Sequence, residues 1–463
     1  GGALNGYYGT IEAKNITFSD NSSTDYGGAF HGYYGSHNFY NSIFYGNSGY
    51  SSYDEIYENS GTITLEYCIL AGGSGNTSGA TSNNEVGQSD PLFTDASSDD
   101  YTLQSSSPAV DAGSSSYAPA TDILGVSRPK GSADDLGCYE FSPNTWVGGA
   151  SSNETTWTTA SNWSNGTVPT SSESPIIPNV TYQPDISTAV TLTGLTIDAG
   201  ADITISSNSL TVTGTFDLNG TMYVENATVN SDGTFDATGG TIDFTNASGA
   251  LVLSSTVTSL GTLDAAMGTV EYDGATQNVL ADTYYNLEID QSGTKTSQGT
   301  ITVASDLTVQ SGATFAIDAT TITVTGTSDV NGTTTLSTGT FNADGASDID
   351  GTMSISSTGV YDADGSFDAT NGNVTFTGNG RLQCSSTVTS LGTLSSDNGT
   401  VEYDGATQTV FGDNYYNLEI DVSGTKSAGG AINVDGNLST AATAGCKLDM
   451  GAYALNIAGD LTV

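Results

Sequence analysis

His31 and His37 flank the stretch GYYG, and two imidazoles this close in sequence can share a metal ion or supply a general base. The preceding copy of the same pattern has Asn5 and Ile11 in their places, so the pair is not a repeated device. Polysaccharide-cleaving β-helix enzymes need acids clustered with a basic residue, or two acids facing each other across a groove. This chain holds 51 acids but only 7 Lys and Arg. Arg128 and Lys130 sit in a Pro-containing stretch and Arg381 in the turn-like GNGRL, and all three read as solvated surface. GxSxG, a Cys/His pair and a phosphate loop are absent from the sequence. The expectation is a protein that is not an enzyme.

Binding chemistry has more candidates. Asp344, Asp348 and Asp350 in NADGASDIDG, with Asp362 and Asp364 in DADG, group carboxylates near glycine as calcium loops do. They match neither an EF-hand loop nor a GGxGxD nonapeptide, so solvated turns are the preferred reading. No cofactor is required by these patterns, and calcium is the one ion they admit. Tyr7, Tyr8, Tyr33 and Tyr34, with Tyr40, Tyr45 and the pairs Tyr284-Tyr285 and Tyr415-Tyr416, offer either an adhesive aromatic face or a structural ladder. Trp146, Trp157 and Trp163, the only tryptophans, would suit sugar rings, although a small sealing core is preferred. TITVTGT and TLTGLT raise ice binding through aligned Thr-x-Thr. That needs a flat, regular Thr ladder, and the irregular turns speak against one.

Such side chains need a scaffold, and composition points to short strands joined by turns. Gly is 58 of 463 residues, Thr, Ser, Asn and Asp are abundant, and helix formers are sparse. The formal charge of −44 repels nucleic acid and anionic bilayers. No apolar run reaches the roughly 20 residues of a membrane-spanning helix. Cys68, Cys138, Cys384 and Cys446 lack CxxC spacing and His neighbours, so zinc is unsupported. Cys384 and Cys446 align with apolar residues in a repeat, which predicts buried thiols; a Cys68–Cys138 bridge stays open.

The scaffold is repetitive at two scales. GGAL, GYYG and NITFSDNS return as GGAF, GYYG and NSIFYGNS at an offset of 26, one coil of a parallel β-solenoid. Later, Ser254–Lys295 matches Ser385–Lys426 at 33 of 42 positions, offset by 131. From Val190 onward apolar and polar residues alternate in short runs, the signature of half-buried strands. At about 22 residues per coil, the longer unit is about six coils, close to 30 Å of rod.

Gly1-Gly2-Ala3, Gly27-Gly28-Ala29 and Asn15 to Asn21 resemble the polymorphic outer-membrane protein repeat, and Asp90 to Phe141 resembles the closing segment of bacterial right-handed β-helix surface proteins. Val168 to Pro178 is similar to a Trp-rich junction of large secreted Bacteroidota proteins. Gly399 to Ile420 and Ser423 to Lys426 resemble repeats of the giant SprB-like adhesins of gliding and surface-living Bacteroidota. The resemblance implies type IX export, display on the outer membrane, and partners among surface polysaccharides, abiotic surfaces and the secretion and anchoring machinery. The lack of an initial Met reads as a segment of a longer protein.

The expected fold is all-β: right-handed parallel β-helix or β-solenoid segments in tandem, forming an elongated rod. Residues 1–142 form the end of one β-helix with its closing segment, and 143–189 a Trp/Pro-rich junction. Residues 190–331 and 332–463 are two solenoid units. The expected function is that of an extracellular adhesin segment, possessing reach and attachment and serving gliding motility, with no nucleic acid partner and no membrane span. The alternative is a secreted polysaccharide lyase or hydrolase, or a carbohydrate-binding protein.

Overall fold

Alternation of apolar and polar residues builds strands, and the computed structural model stacks those strands in parallel, coil upon coil. It describes residues 2–50, 55–70, 77–78, 80–83, 89–244, 248–440 and 445–463. The chain is all-β; among the described residues the helical elements are the 3-10 turns Ala96–Ser98 and Ala160–Asn162. The stacked coils form a β-solenoid of about 14 turns. No helix among the described residues is long and apolar enough to cross a membrane. The chain divides into two compact units, Gly1–Asn144 and Thr145–Val463.

In the first unit the coil length is the sequence period. Leu4 pairs with Phe30 and Phe30 with Ile56; Thr17 pairs with Ile43 and Ile43 with Ile69. Corners recur with the coils: Tyr8, Tyr34 and Ser60 share left-handed backbone, as do Asn15, Asn41 and Tyr67. Asn tolerates that conformation, and it bonds along the ladder, Asn21 Nδ2 donating to Asn47 Oδ1 at 2.8 Å. Tyr8 and Tyr34 do not favour it, and each costs about 1–2 kcal/mol.

The segment after these coils folds around buried charge. Arg128 Nη1 donates to Glu140 Oε2 at 2.8 Å, both side chains almost wholly enclosed, and Arg128 also donates to the carbonyls of Asp135 and Gly137. This corrects the surface assignment of Arg128. The guanidinium satisfies carbonyls that an irregular segment cannot pair in a ladder. Cys68 and Cys138 are both free thiols.

The second unit has three strands per coil and one continuous core running from Trp146 to Leu438. Inward residues lie buried and outward ones half-exposed, as in Thr333–Leu336 and Thr352–Ile355. Coil length varies: Thr269 pairs with Asn286, 17 residues on, and Leu438 with Leu461, 23 on. From Ala250–Leu253 to its duplicate Arg381–Cys384 the chain advances by twenty strands, which is six coils and two further strands. The duplicate therefore sits on another side of the solenoid, in the ten-stranded sheet instead of the fourteen-stranded one. At about 4.8 Å per coil the repeat advances about 32 Å.

Candidate functional site

The duplicated segment is first of all a joint. One sheet runs through it unbroken, Ala250–Leu253 to Thr269–Tyr272 to Asn286–Ile289, while the strand Val257–Ser259 ends its own sheet and Thr276–Val279 begins a new one. Gln277 bridges the interruption: Nε2 donates to the carbonyls of Leu253 and Ser255 at 2.7 and 2.6 Å, and Oε1 accepts from Gly274 N at 2.7 Å. Gln408 repeats this with Cys384, Ser386 and Gly405. A cleft of about 350 Å³ opens there, lined by Ser254 to Val257 and Ala275 to Asn278.

Inside the joint two tyrosines meet, the hydroxyls of Tyr272 and Tyr284 lying 3.1 Å apart, as do those of Tyr403 and Tyr415. Burial pushes the Tyr272 hydroxyl up to about 12. Tyr284 and Tyr415 are thus core, not adhesive face. Lys295 and Lys426 point inward and donate from Nζ to the corner carbonyls of Asp290 and Gln291, and of Asp421 and Val422. At Gly268 an added Cβ would lie 2.2 Å from the Phe244 ring, and at Gly399 2.1 Å from Phe376, so this approach admits no side chain.

The three outer faces beyond the first joint differ in chemistry. On the fourteen-stranded sheet, Glu271 and Glu288 are register partners, and further along Asp329, Asp348 and Asp368 succeed one another. Burial, then Glu288, Asp273 and Asp290, pushes Glu271 up to about 7. On the ten-stranded sheet Asp362 is pushed up to about 6, chiefly by burial and then by Asp364. Farther along that sheet Arg381 Nη1 clamps Glu402 Oε2 at 2.5 Å and Glu419 Oε2 at 2.7 Å, so Arg381 too is engaged and not merely solvated. The seven-stranded sheet from Thr276–Val279 to Thr393–Asp397 turns out threonines.

The calcium candidates are spread over these faces. Asp348 lies in Ser347–Ile349 of one sheet and Asp362 in Val360–Ala363 of another. Asp344 and Asp364 occupy successive exposed corners, and Asp350 accepts from Asn371 at 3.0 Å. Among the described residues no three His, Cys, Asp or Glu converge to hold a metal. Strand geometry thus parts Asp348 from Asp362, while Asp344 and Asp364 stay near Asp362.

The histidines also part. His37 takes a core position between Ile11 and Ile63, with Nδ1 2.8 Å from Glu58 Oε2, and is fully buried. His31 instead packs on the rings of Tyr33 and Tyr57. Beside it the tyrosines stack along the coils, Tyr7 on Tyr33 at 4.9 Å and Tyr8 on Tyr34 at 5.2 Å. Tyr7, Tyr8 and Tyr34 are more than half exposed. Ladder and exposed face coexist in these residues.

Trp146, Trp157 and Trp163 are 0, 2 and 2% exposed and pack on one another, so their faces are closed to a sugar. Trp146 Nε1 donates to Tyr182 O at 2.7 Å and Trp163 Nε1 to Trp157 O at 2.9 Å, which satisfies two of the buried indoles, while Trp157 Nε1 is buried without a hydrogen-bond partner among the described residues. Cys384 is buried as its alignment implies; Cys446 is half-buried against the core edge. Residues 145–250, which contain all three tryptophans, match a family described as a domain of unknown function (DUF8693). No curated protein and no solved structure matches the chain.

Proposed function

We propose that this chain is a segment of an extracellular cell-surface adhesin of the SprB-like type, exported through type IX secretion and attached at the outer membrane, where it provides display and attachment. The observation that carries this reading is the exposed tyrosine ladder Tyr7, Tyr8, Tyr33 and Tyr34, borne on stacked coils. Tyrosine presents a large apolar body with a polar tip, which suits contact with polysaccharide or abiotic surfaces. The duplicated joint supports it, because repetition lengthens a scaffold without new chemistry. A sugar-cleaving activity has less support: Arg128 and Arg381 are both engaged by glutamates. Beads coated with the chain should adhere to polysaccharide-coated or bare glass. Replacing the four tyrosines by serine should cut adhesion several-fold with unchanged circular dichroism. Undiminished adhesion would remove the ladder from the account.

A further inference from the structure

We propose that the outward face of the seven-stranded sheet, from Thr276–Val279 to Thr393–Asp397, is an ice-binding surface whose ligand is a lattice of ordered water. Register places two columns side by side on this face. The first is Thr276, Thr294, Thr314, Thr333, Thr352, Asn373 and Thr393. The second, two residues on in each strand, runs from Asn278 through Thr296, Ala316, Thr335, Ser354 and Thr375 to Ser395. Eleven of these fourteen positions carry a hydroxyl, and none carries a charge or an aromatic ring, in a chain of net charge −44 with 24 tyrosines.

The columns form a mesh of about 4.8 Å between strands and about 6.6 Å along them. Six successive pairings keep register, whereas the neighbouring fourteen-stranded sheet slips at Phe367/Asp368. Threonine is stiff at χ1, so each hydroxyl is held before it meets a ligand while its methyl excludes loose water. Among the described residues of the two columns only Thr375 spends its hydroxyl on another rung, donating to Met353 O at 3.2 Å. A hydroxyl–water bond is individually weak, so affinity requires many made at once, to a ligand that is itself periodic. Crystalline sugar would be gripped by aromatic faces and a folded protein by apolar anchors, and this face has neither.

TITVTGT and TLTGLT are not the segments involved: Thr321 and Thr323 belong to the ten-stranded sheet, and Thr191 to the fourteen-stranded one. The irregular turns lie at the corners and leave the seven-stranded ladder intact. This inference goes beyond attachment through tyrosine and holds independently of it.

The test is partition of the full chain into slowly grown ice, with crystal shaping viewed under a microscope. The chain should enter the ice and facet it. Thr333→Tyr with Thr335→Tyr should lower the ice-bound fraction at least tenfold with unchanged circular dichroism, while Asp329→Tyr on the acidic face should not. Should the double variant misfold, Thr352→Lys decides by the same readout. Exclusion of the native chain from ice overturns the proposal, as does equal partition of the folded variants. Binding to crystalline cellulose that Thr352→Lys abolishes, without ice binding, also overturns it and assigns the face to polysaccharide.

Discussion

The two copies of the joint share the bonded groups of their interior and differ, among other places, at an outward position that sets their charge. In the second, Arg381 sits between Glu402 and Glu419; in the first, Ala250 holds the equivalent place, and among the described residues Glu271 and Glu288 face each other without a cation. Tyrosine pair, bridging glutamine and inward lysine are the same in both. The interior is thus fixed by what closes an interrupted sheet, while the surface is free to take different electrostatics. The seven-stranded and fourteen-stranded sheets extend this lesson, since over one core one face collects hydroxyls and the other acids.

The largest effect should come from the shared interior. Tyr284→Ala and Tyr415→Ala each remove a fully buried ring and should each cost about 3–5 kcal/mol in urea denaturation. A large loss in one copy only would show that the joints are not equivalent. Gln277→Leu and Gln408→Leu leave two carbonyls and an amide unpaired and should each cost about 2–3 kcal/mol by the same measurement.

The outward difference should appear as pH dependence. Glu271 is pushed up to about 7 in the folded chain, so between its ordinary range and about 7 the folded state holds the proton more tightly. Stability from this group is therefore greatest at acid pH and falls as pH rises toward 7. Ala250→Arg should remove about 1 kcal/mol of that fall after allowance for solvent screening. Burial also raises Glu402, and Arg381 opposes the rise, so Arg381→Ala should install a similar fall in the second copy. Denaturation midpoints at pH 5 and pH 8 read both variants, and parallel profiles with the native chain would break the comparison.

The smallest effect lies at the corner before each inward lysine. Val422 and Gln291 both have left-handed backbone, which a β-branched side chain resists more. Val422→Gly should stabilise by about 0.5–1 kcal/mol and Gln291→Gly by less, read as a shift in denaturation midpoint.

Much of the scaffold was legible because its cause is local. Alternation marked the strands, and the 26-residue offset is the coil register itself, Leu4 on Phe30. The joint was visible as a repeat but not as a joint, because a break in sheet pairing leaves no mark on the residues that alternate. The separation of Asp348 from Asp362, and of His31 from His37, follows from which side of which strand each occupies. The threonine face was hidden for a related reason. Its members come from strands spaced by 18 residues between Thr276 and Thr294 but 21 between Thr352 and Asn373, so no fixed period reveals them. Arg128 looked like surface because only the folded closing segment brings Glu140 to it.

The central claim is that function here resides on outward faces laid over a uniform core, with the seven-stranded face the one that collects hydroxyls in unbroken register. A crystal structure of the chain at a resolution that orders water tests it most directly. The account predicts a file of waters between the two threonine columns, repeating once per strand from Thr294 to Thr375. A twisted sheet, slipped register or waters without that period would contradict it.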